Sequence, residues 1–234
     1  MLVAAQNGHA RVVRRLHALG ADPARRTVND ASALYLAAQR GHGEIVAFLL
    51  ALGKGKAMAP LVDAAMSDGS TPLIVAAQNG HLTVVRLLCG HGANANARMR
   101  AGATALYLAA QNGRTEVVEW LLSEQHKATP LELDAAMTDG STAVHIAVQN
   151  GHEQVVRLLL AHGAQSDVAM DNGMTPLHIA ASCGYVPLLE AQLAHGATLD
   201  AKDDSRMTPI DYAATAQQSD AVEALMAHGA ILRS

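Results

Sequence analysis

The sequence predicts an all-α protein: an α-solenoid of stacked helix-turn-helix units with β-hairpin-like fingers. Three observations predict it. First, one short pattern returns in seven registers. It reads Gln6-Asn7-Gly8, Gln39-Arg40-Gly41, Gln78-Asn79-Gly80, Gln111-Asn112-Gly113 and Gln149-Asn150-Gly151, with weaker copies at Ser182-Cys183-Gly184 and Gln217-Gln218-Ser219. The spacings are 33, 39, 33, 38, 33 and 35 residues, and alternate glycines lie 71 or 72 apart, as duplication of a two-unit block would leave them. Second, each copy carries the signals of two helices of about eight to ten residues, shorter than the roughly 12–15 needed for marginal independent stability, so only packing on neighbours holds them. Third, half of the 234 residues are apolar but only 3% are aromatic. A core of Ala, Val and Leu suits thin, closely spaced elements.

Each copy begins at a tight turn. Asp68-Gly69, Asp139-Gly140 and Asn172-Gly173 are dipeptides that accept positive φ in a hairpin. Thr71-Pro72 and Thr175-Pro176 follow, each a hydroxyl N-cap with proline at the first helical position. The first helix turns Leu73, Ala76 and Ala77 to one face and stops at Gly80, where a left-handed glycine closes the C-terminus. The second helix carries Val84, Val85, Leu87 and Leu88 and stops near Gly92; Val155, Val156, Leu158 and Leu159 repeat it before Gly163. Ala76-Ala77, Ala109-Ala110 and Ala180-Ala181 let helices approach near the close end of the usual 8–10 Å range.

Thr175-Pro176-Leu177-His178 resembles the signature of ankyrin repeats, and Gly80-His81, the run from Val84 to Leu88 and His91-Gly92-Ala93 match the rest of that pattern. The resemblance covers essentially the whole chain. It implies a single repeat domain over 1–234, with six complete repeats preceded by a half repeat that opens inside its first helix at Leu2. The expected boundaries are approximately 1–26, 27–65, 66–98, 99–136, 137–169, 170–202 and 203–234.

Three departures from the pattern stand out. The family usually has Asp three residues before the finger glycine; here Met66, Met99, Met137 and Met170 stand there, and Asp returns at Asp203. Methionine fills irregular gaps, so these residues read as packing between fingers or, alternatively, as an apolar stripe that grips a partner. Two longer linkers, 53–60 and 124–130, read as tolerated insertions or as contacts through Lys54, Lys56 and Lys127 to an acidic ligand; the helix ending near Leu122 is expected to run on by about a turn. Finally, Leu2, Val3, Val12 and Val13 open the chain without the polar cap a solenoid needs, whereas Arg233, Ser234 and the run from Gln217 to Asp220 make the other end polar. Trp120, at the place of Leu87, is expected in the core.

Composition narrows the function classes. A net charge of -4 and few aromatics argue against nucleic acid, which needs a basic stripe and, for single strands, stacking platforms. No window approaches the roughly 18 apolar residues of a membrane span, and the first residues form no secretory signal. Two cysteines 94 positions apart fit a reducing compartment. The chain reads as soluble and cytoplasmic. Ten of its twelve histidines fall at recurrent repeat places: after glycine (His9, His42, His81, His152), before glycine (His91, His162, His195, His228) or after the helix-opening residue (His145, His178). They form rows one repeat apart, whereas zinc needs three or four ligands converging at about 2 Å. His178 and Cys183 sit near opposite ends of one helix with no orienting acid. No catalytic residue, cofactor or metal is expected.

The resemblance implies a non-catalytic protein-binding module whose partner docks on the concave side made by finger tips and first helices. Carried over by position, that surface comprises Ser67, Asp68 and Ser70; Arg100; Thr138 and Asp139; and Asp171, Asn172 and Met174. From the first helices it takes Gln78, Asn79, Gln111, Asn112, Gln149, Asn150 and Cys183, with Tyr185 just beyond. The near-constant Gln-Asn pair reads as undiversified duplication or as an amide ladder for a repetitive ligand. The expected partner is another protein, bound by a monomer. The alternative is a structural spacer or fragment of a larger protein that self-associates through its N-terminal face.

Overall fold

Short helices survive here because both ends are tied. Thr71 Oγ1 accepts from the Ile74 N–H at 3.3 Å, and Ser32 and Thr104 cap the N–H groups of Tyr35 and Tyr107 in the same way. Pro72, Pro176 and Pro209 occupy first-turn positions where no N–H is needed. In the computed structural model, which describes residues 1–52, 62–123 and 130–232, these signals yield helices throughout. In the first part of the chain they are α1 (Leu2–Gln6), α2 (Ala10–Ala18), α3 (Ala33–Gln39), α4 (Gly43–Leu52), α5 (Pro72–Asn79), α6 (Leu82–Gly90), α7 (Ala105–Gln111) and α8 (Thr115–Leu122). The remainder are α9 (Ala143–Gln149), α10 (Glu153–Ala161), α11 (Pro176–Cys183), α12 (Val186–Ala194), α13 (Pro209–Thr215) and α14 (Ser219–Ala227). Among the described residues the one extended pairing is an isolated bridge between Arg26 and Ser32. The chain is an all-helical solenoid of stacked repeats.

The helices group into two compact units, one formed by 1–109 with 116–131 and the other by 110–115 with 132–234. In the first unit α1, α3 and α5 pack in sequence as one layer, and α2, α4 and α6 as the other. In the second, α9, α11 and α13 form one layer and α10, α12 and α14 the other. Leu73, Ala76, Ala77, Val84, Val85 and Leu88 are buried in the first unit, as are Val155, Val156, Leu159 and Leu177 in the second. Each such Leu or Val side chain contributes roughly 1.5–3 kcal/mol by leaving water.

Three expectations need correction. Trp120 is half-buried, as are Leu87 and Leu158 at the same place, because the inward stripe of that helix runs through positions such as Val84, Val85 and Leu88 and leaves Leu87 on its edge. The helix before the second long linker ends at Leu122: Ser123 is a bend whose hydroxyl donates to the Trp120 carbonyl at 2.7 Å. The last repeat is also registered differently. Gln217, with φ 58°, takes the place of the helix-closing glycine, so the final spacing from Gly184 is 33, not 35. Val13, one of the apolar residues that open the chain, is buried, whereas Met226, Ile231 and Leu232 are exposed alongside the exposed polar Gln217, Ser219 and Asp220. Lys54, Lys56, Lys127, Arg233 and Ser234 lie outside the described residues, as does most of both long linkers.

Candidate protein-binding surface

The fingers are narrow backbone hairpins. In each, the residue at the Met66 place exchanges hydrogen bonds across the turn: Met66 N–H to Ser70 at 2.9 Å, Met137 N–H to Ser141 at 2.8 Å, Met170 N–H to Met174 at 2.9 Å. Successive fingers are stitched by one further bond. Arg100 N–H donates to the Asp68 carbonyl at 2.9 Å in the first unit; Asp171 N–H donates to Asp139 at 3.0 Å and Asp204 N–H to Asn172 at 3.1 Å in the second. That approach is why Gly140 is glycine. Besides its φ of 80°, a Cβ there would lie 2.8 Å from the Asp171 nitrogen. The finger methionines Met66, Met99, Met137 and Met170 are half-buried. At the same place Asp203 is buried, accepting from the Met207 N–H at 2.8 Å and the Tyr212 hydroxyl at 2.7 Å. Bonding to this carboxylate holds the Tyr212 phenol at about 12.

The predicted surface residues fall into distinct groups. Ser67, Arg100, Thr138 and Asp171 are exposed at the tips. Asp68, Asp139 and Asn172 are exposed as well, but their side chains already work inside the finger. Asp68 accepts from the Ser70 N–H (2.8 Å), Asp139 from the Ser141 N–H (2.9 Å) and hydroxyl (2.6 Å), and Asn172 from the Met174 N–H (3.1 Å). The Ser141 bonds pull the Asp139 carboxyl below its usual range. Ser70 is buried, 3.4 Å from the Tyr35 hydroxyl, and so presents nothing to a partner. Met174 is half-buried and its carbonyl receives a bond from His145.

On the first helices, the amide pairs prove to be partly structural. Asn79 donates to the Gln39 carbonyl in the previous repeat (3.2 Å) and to Val75 (2.9 Å), and Asn150 donates to the Gln111 carbonyl (3.1 Å). Gln149 and Asn112 are exposed; Gln78 and Gln111 are half-buried. Cys183 is half-buried at the end of α11, where burial raises its thiol, while burial pushes Cys89 up to about 12. Tyr185 is the N-cap residue of α12 and 36% exposed, its ring set against Gly151.

The histidines are used in three ways. His42, His81 and His152 donate from Nε2 to the carbonyls of Gln6, Gln39 and Gln111 at 3.0–3.1 Å. His91, His162 and His195 instead close their own helices, their Nδ1 atoms 2.8 Å from the carbonyls four residues back, while His228 reaches Glu190 at 2.7 Å. His145 and His178 are buried. The backbone N–H of Thr142 donates to Nδ1 of His145 (3.2 Å) and that of Thr175 to Nδ1 of His178 (3.1 Å), so Nδ1 carries no proton and Nε2–H faces the carbonyl of Met174 or Met207. Burial drives His145 down to about 4 and also lowers His178.

One row escaped the sequence reading. Asp63, Asp134 and Asp167 each accept from the backbone N–H 31 residues on, that of Asn94 (3.0 Å), Gln165 (3.0 Å) and Thr198 (2.8 Å). The signal was present, since these aspartates recur at 71 and 33 positions, the spacings of the repeat itself.

Helix pairs tied by carbonyl-seeking histidines, with paired fingers projecting from them, define a repeat protein. The family model of ankyrin repeats matches at 1–99, 52–134, 98–170, 129–203 and 165–233, so the chain belongs to the ankyrin-repeat family. Among solved structures it is similar to the human ASB11 ankyrin repeat domain, at 26% identity and a TM-score of 0.83 over 99% of this chain and 98% of that one. No match is found among curated proteins. Ankyrin repeats are in general non-catalytic modules for protein–protein interaction. Among the described residues no helix is long and apolar enough to cross a membrane.

Proposed function

We propose that the chain, as a single ankyrin domain, binds another protein through its finger tips and first helices without chemistry, in the cytoplasm. The observation that carries this is a division of labour in the fingers. Backbone bonds fix Asp68 against Arg100 and Asp139 against Asp171, while Ser67, Arg100, Thr138 and Asp171 remain exposed. Side chains on a rigid, evenly spaced backbone lose little entropy on binding, and preorganisation favours affinity. Within the second unit Thr138, Gln149, Asp171 and Tyr185 are the exposed members of the predicted set least committed to internal bonds, and they are assigned to the partner.

The test is affinity capture from lysate with the parent chain and a Thr138→Arg, Gln149→Ala, Asp171→Arg, Tyr185→Ala variant of equal melting temperature. A partner held by the parent and lost by the variant supports the reading and identifies the ligand. A partner held equally by both removes these tips and helix ends from the site.

A further inference from the structure

Two fingers are near copies of one another, Met66-Ser67-Asp68-Gly69-Ser70-Thr71 in the first unit and Met137-Thr138-Asp139-Gly140-Ser141-Thr142 in the second. Both close the same way, Asp68 accepting from the Ser70 N–H at 2.8 Å and Asp139 from the Ser141 N–H at 2.9 Å. Each presents an exposed hydroxyl residue at its tip, Ser67 or Thr138. Their surroundings have diverged. The finger that follows carries Arg100 at the Ser67 place in the first unit, but Asp171 at the Thr138 place in the second. The Arg100 N–H donates to the Asp68 carbonyl at 2.9 Å, so those two fingers run about 4.8 Å apart, as paired strands do. A Cβ on Gly69 would lie 3.0 Å from the Met99 Cα, which marks the same close approach. Ser67 and Arg100 thus lie on neighbouring strands, within the reach of an arginine side chain.

Both residues are exposed, and among the described residues neither the Ser67 hydroxyl nor the Arg100 guanidinium has a hydrogen-bond or ion-pair partner. The other charges of the flanking fingers are the exposed Asp30 on the one before and the exposed Arg98 on the one after, while Asp68 accepts from the Ser70 N–H. We infer that Ser67 is a phosphorylation site whose phosphoserine is clasped by Arg100. In the transfer, Ser67 Oγ bonds to the γ-phosphorus of a nucleoside triphosphate. The bond from that phosphorus to the diphosphate breaks with its electron pair, and the hydroxyl proton passes to the base of a protein kinase. The product carries about −1.5 to −2 charge at pH 7 and acceptor oxygens that a guanidinium binds bidentately. It turns a cationic tip into an anionic one. At Thr138 the same group meets Asp139 and Asp171 and is opposed by like charge. The mark stands whether or not the second-unit tips bind a partner.

Two measurements on the full chain test it. In the first, the chain is incubated with ATP and lysate of its source cells, and phosphopeptides are mapped by mass spectrometry. Phosphate is expected on Ser67 of the parent, with none gained elsewhere in the finger by Ser67→Ala. No phosphate on Ser67, or phosphate on Thr138 in its place, overturns the site. In the second, phosphoserine is encoded at position 67 and its phosphate is titrated by phosphorus NMR. Its second ionisation is expected about half a pH unit lower in the folded chain than in urea, and Arg100→Gln should return it to the urea value. Phosphoserine encoded at position 138 should shift the opposite way, and Asp171→Arg should reverse that shift. Ser67 and Arg100 are exposed, so these variants should melt as the parent does. A phosphate at position 67 whose titration Arg100→Gln leaves unmoved overturns the clasp, as do equal titrations at the two positions.

Discussion

The Nε2–H of His178 donates to the backbone carbonyl of Met207 at 3.1 Å, so one ring opens its own helix through Nδ1 and holds the next finger 29 residues away. His145 does the same to Met174 at 3.4 Å. Both nitrogens are committed, one as acceptor from a backbone N–H and one as donor. Protonating Nδ1 breaks the first bond and places a charge in the core.

Stability should therefore depend on pH in a defined window. Burial lowers His145 from 6.5 to about 4, and His178 moves the same way. Between these values the unfolded chain binds protons that the folded chain refuses. This contribution is intact above about pH 6.5 and is lost as pH falls toward 4, by up to about 3 kcal/mol from His145. Urea unfolding at neutral and mildly acidic pH measures it. A His145→Asn variant should be less stable at neutral pH but less sensitive to acid; an unchanged slope would remove His145 from the account.

The helix-closing glycines should differ sharply from those at the ends of second helices. Gly113 has φ 62°, and a Cβ there would meet the His152 ring at 2.8 Å; Gly163 has φ 91° but nothing within 4 Å. Gly163→Ala should cost about 1–2 kcal/mol, the strain of a left-handed residue. Gly113→Ala should cost visibly more, because the ring that bonds the Gln111 carbonyl must also shift. Equal losses in denaturant titration would contradict the close approach.

The aspartate row gives a third test. Asp167 accepts from both the N–H (2.8 Å) and the hydroxyl (2.6 Å) of Thr198 in the next repeat. Asp167→Ala should lower stability by about 1–2 kcal/mol. Asp134→Ala, losing one bond from the Gln165 N–H, should lower it less. The comparison is made at neutral pH by denaturant midpoint.

These cases show what the sequence exposes and what it hides. Glycine, Thr-Pro and the histidine rows announce themselves because each is the residue type that one backbone geometry demands, so fold and repeat spacing were readable. Gln217 and Arg206 were not, since at φ 58° and 62° they occupy glycine places without a glycine. Surface membership was readable only in part. Ser70 and Asn79 sit at finger and helix ends like their exposed neighbours, and only coordinates show one buried beside Tyr35 and the other donating to Gln39. Trp120 looked like core by alignment with Leu87, yet that place is itself an edge.

The finger tips should separate folding from binding. Asn172 holds the turn through the Met174 N–H, so Asn172→Ala should cost roughly 1 kcal/mol even with no partner present. Thr138 and Asp171 are exposed, and substitutions there should stay within about 0.5 kcal/mol of the parent. If the tips are the contact, Thr138→Arg and Asp171→Arg weaken capture of the partner without moving the melting curve, whereas Asn172→Ala moves both. A destabilised Asp171→Arg chain would show that the tip is structural, and the site would then have to lie along the first helices.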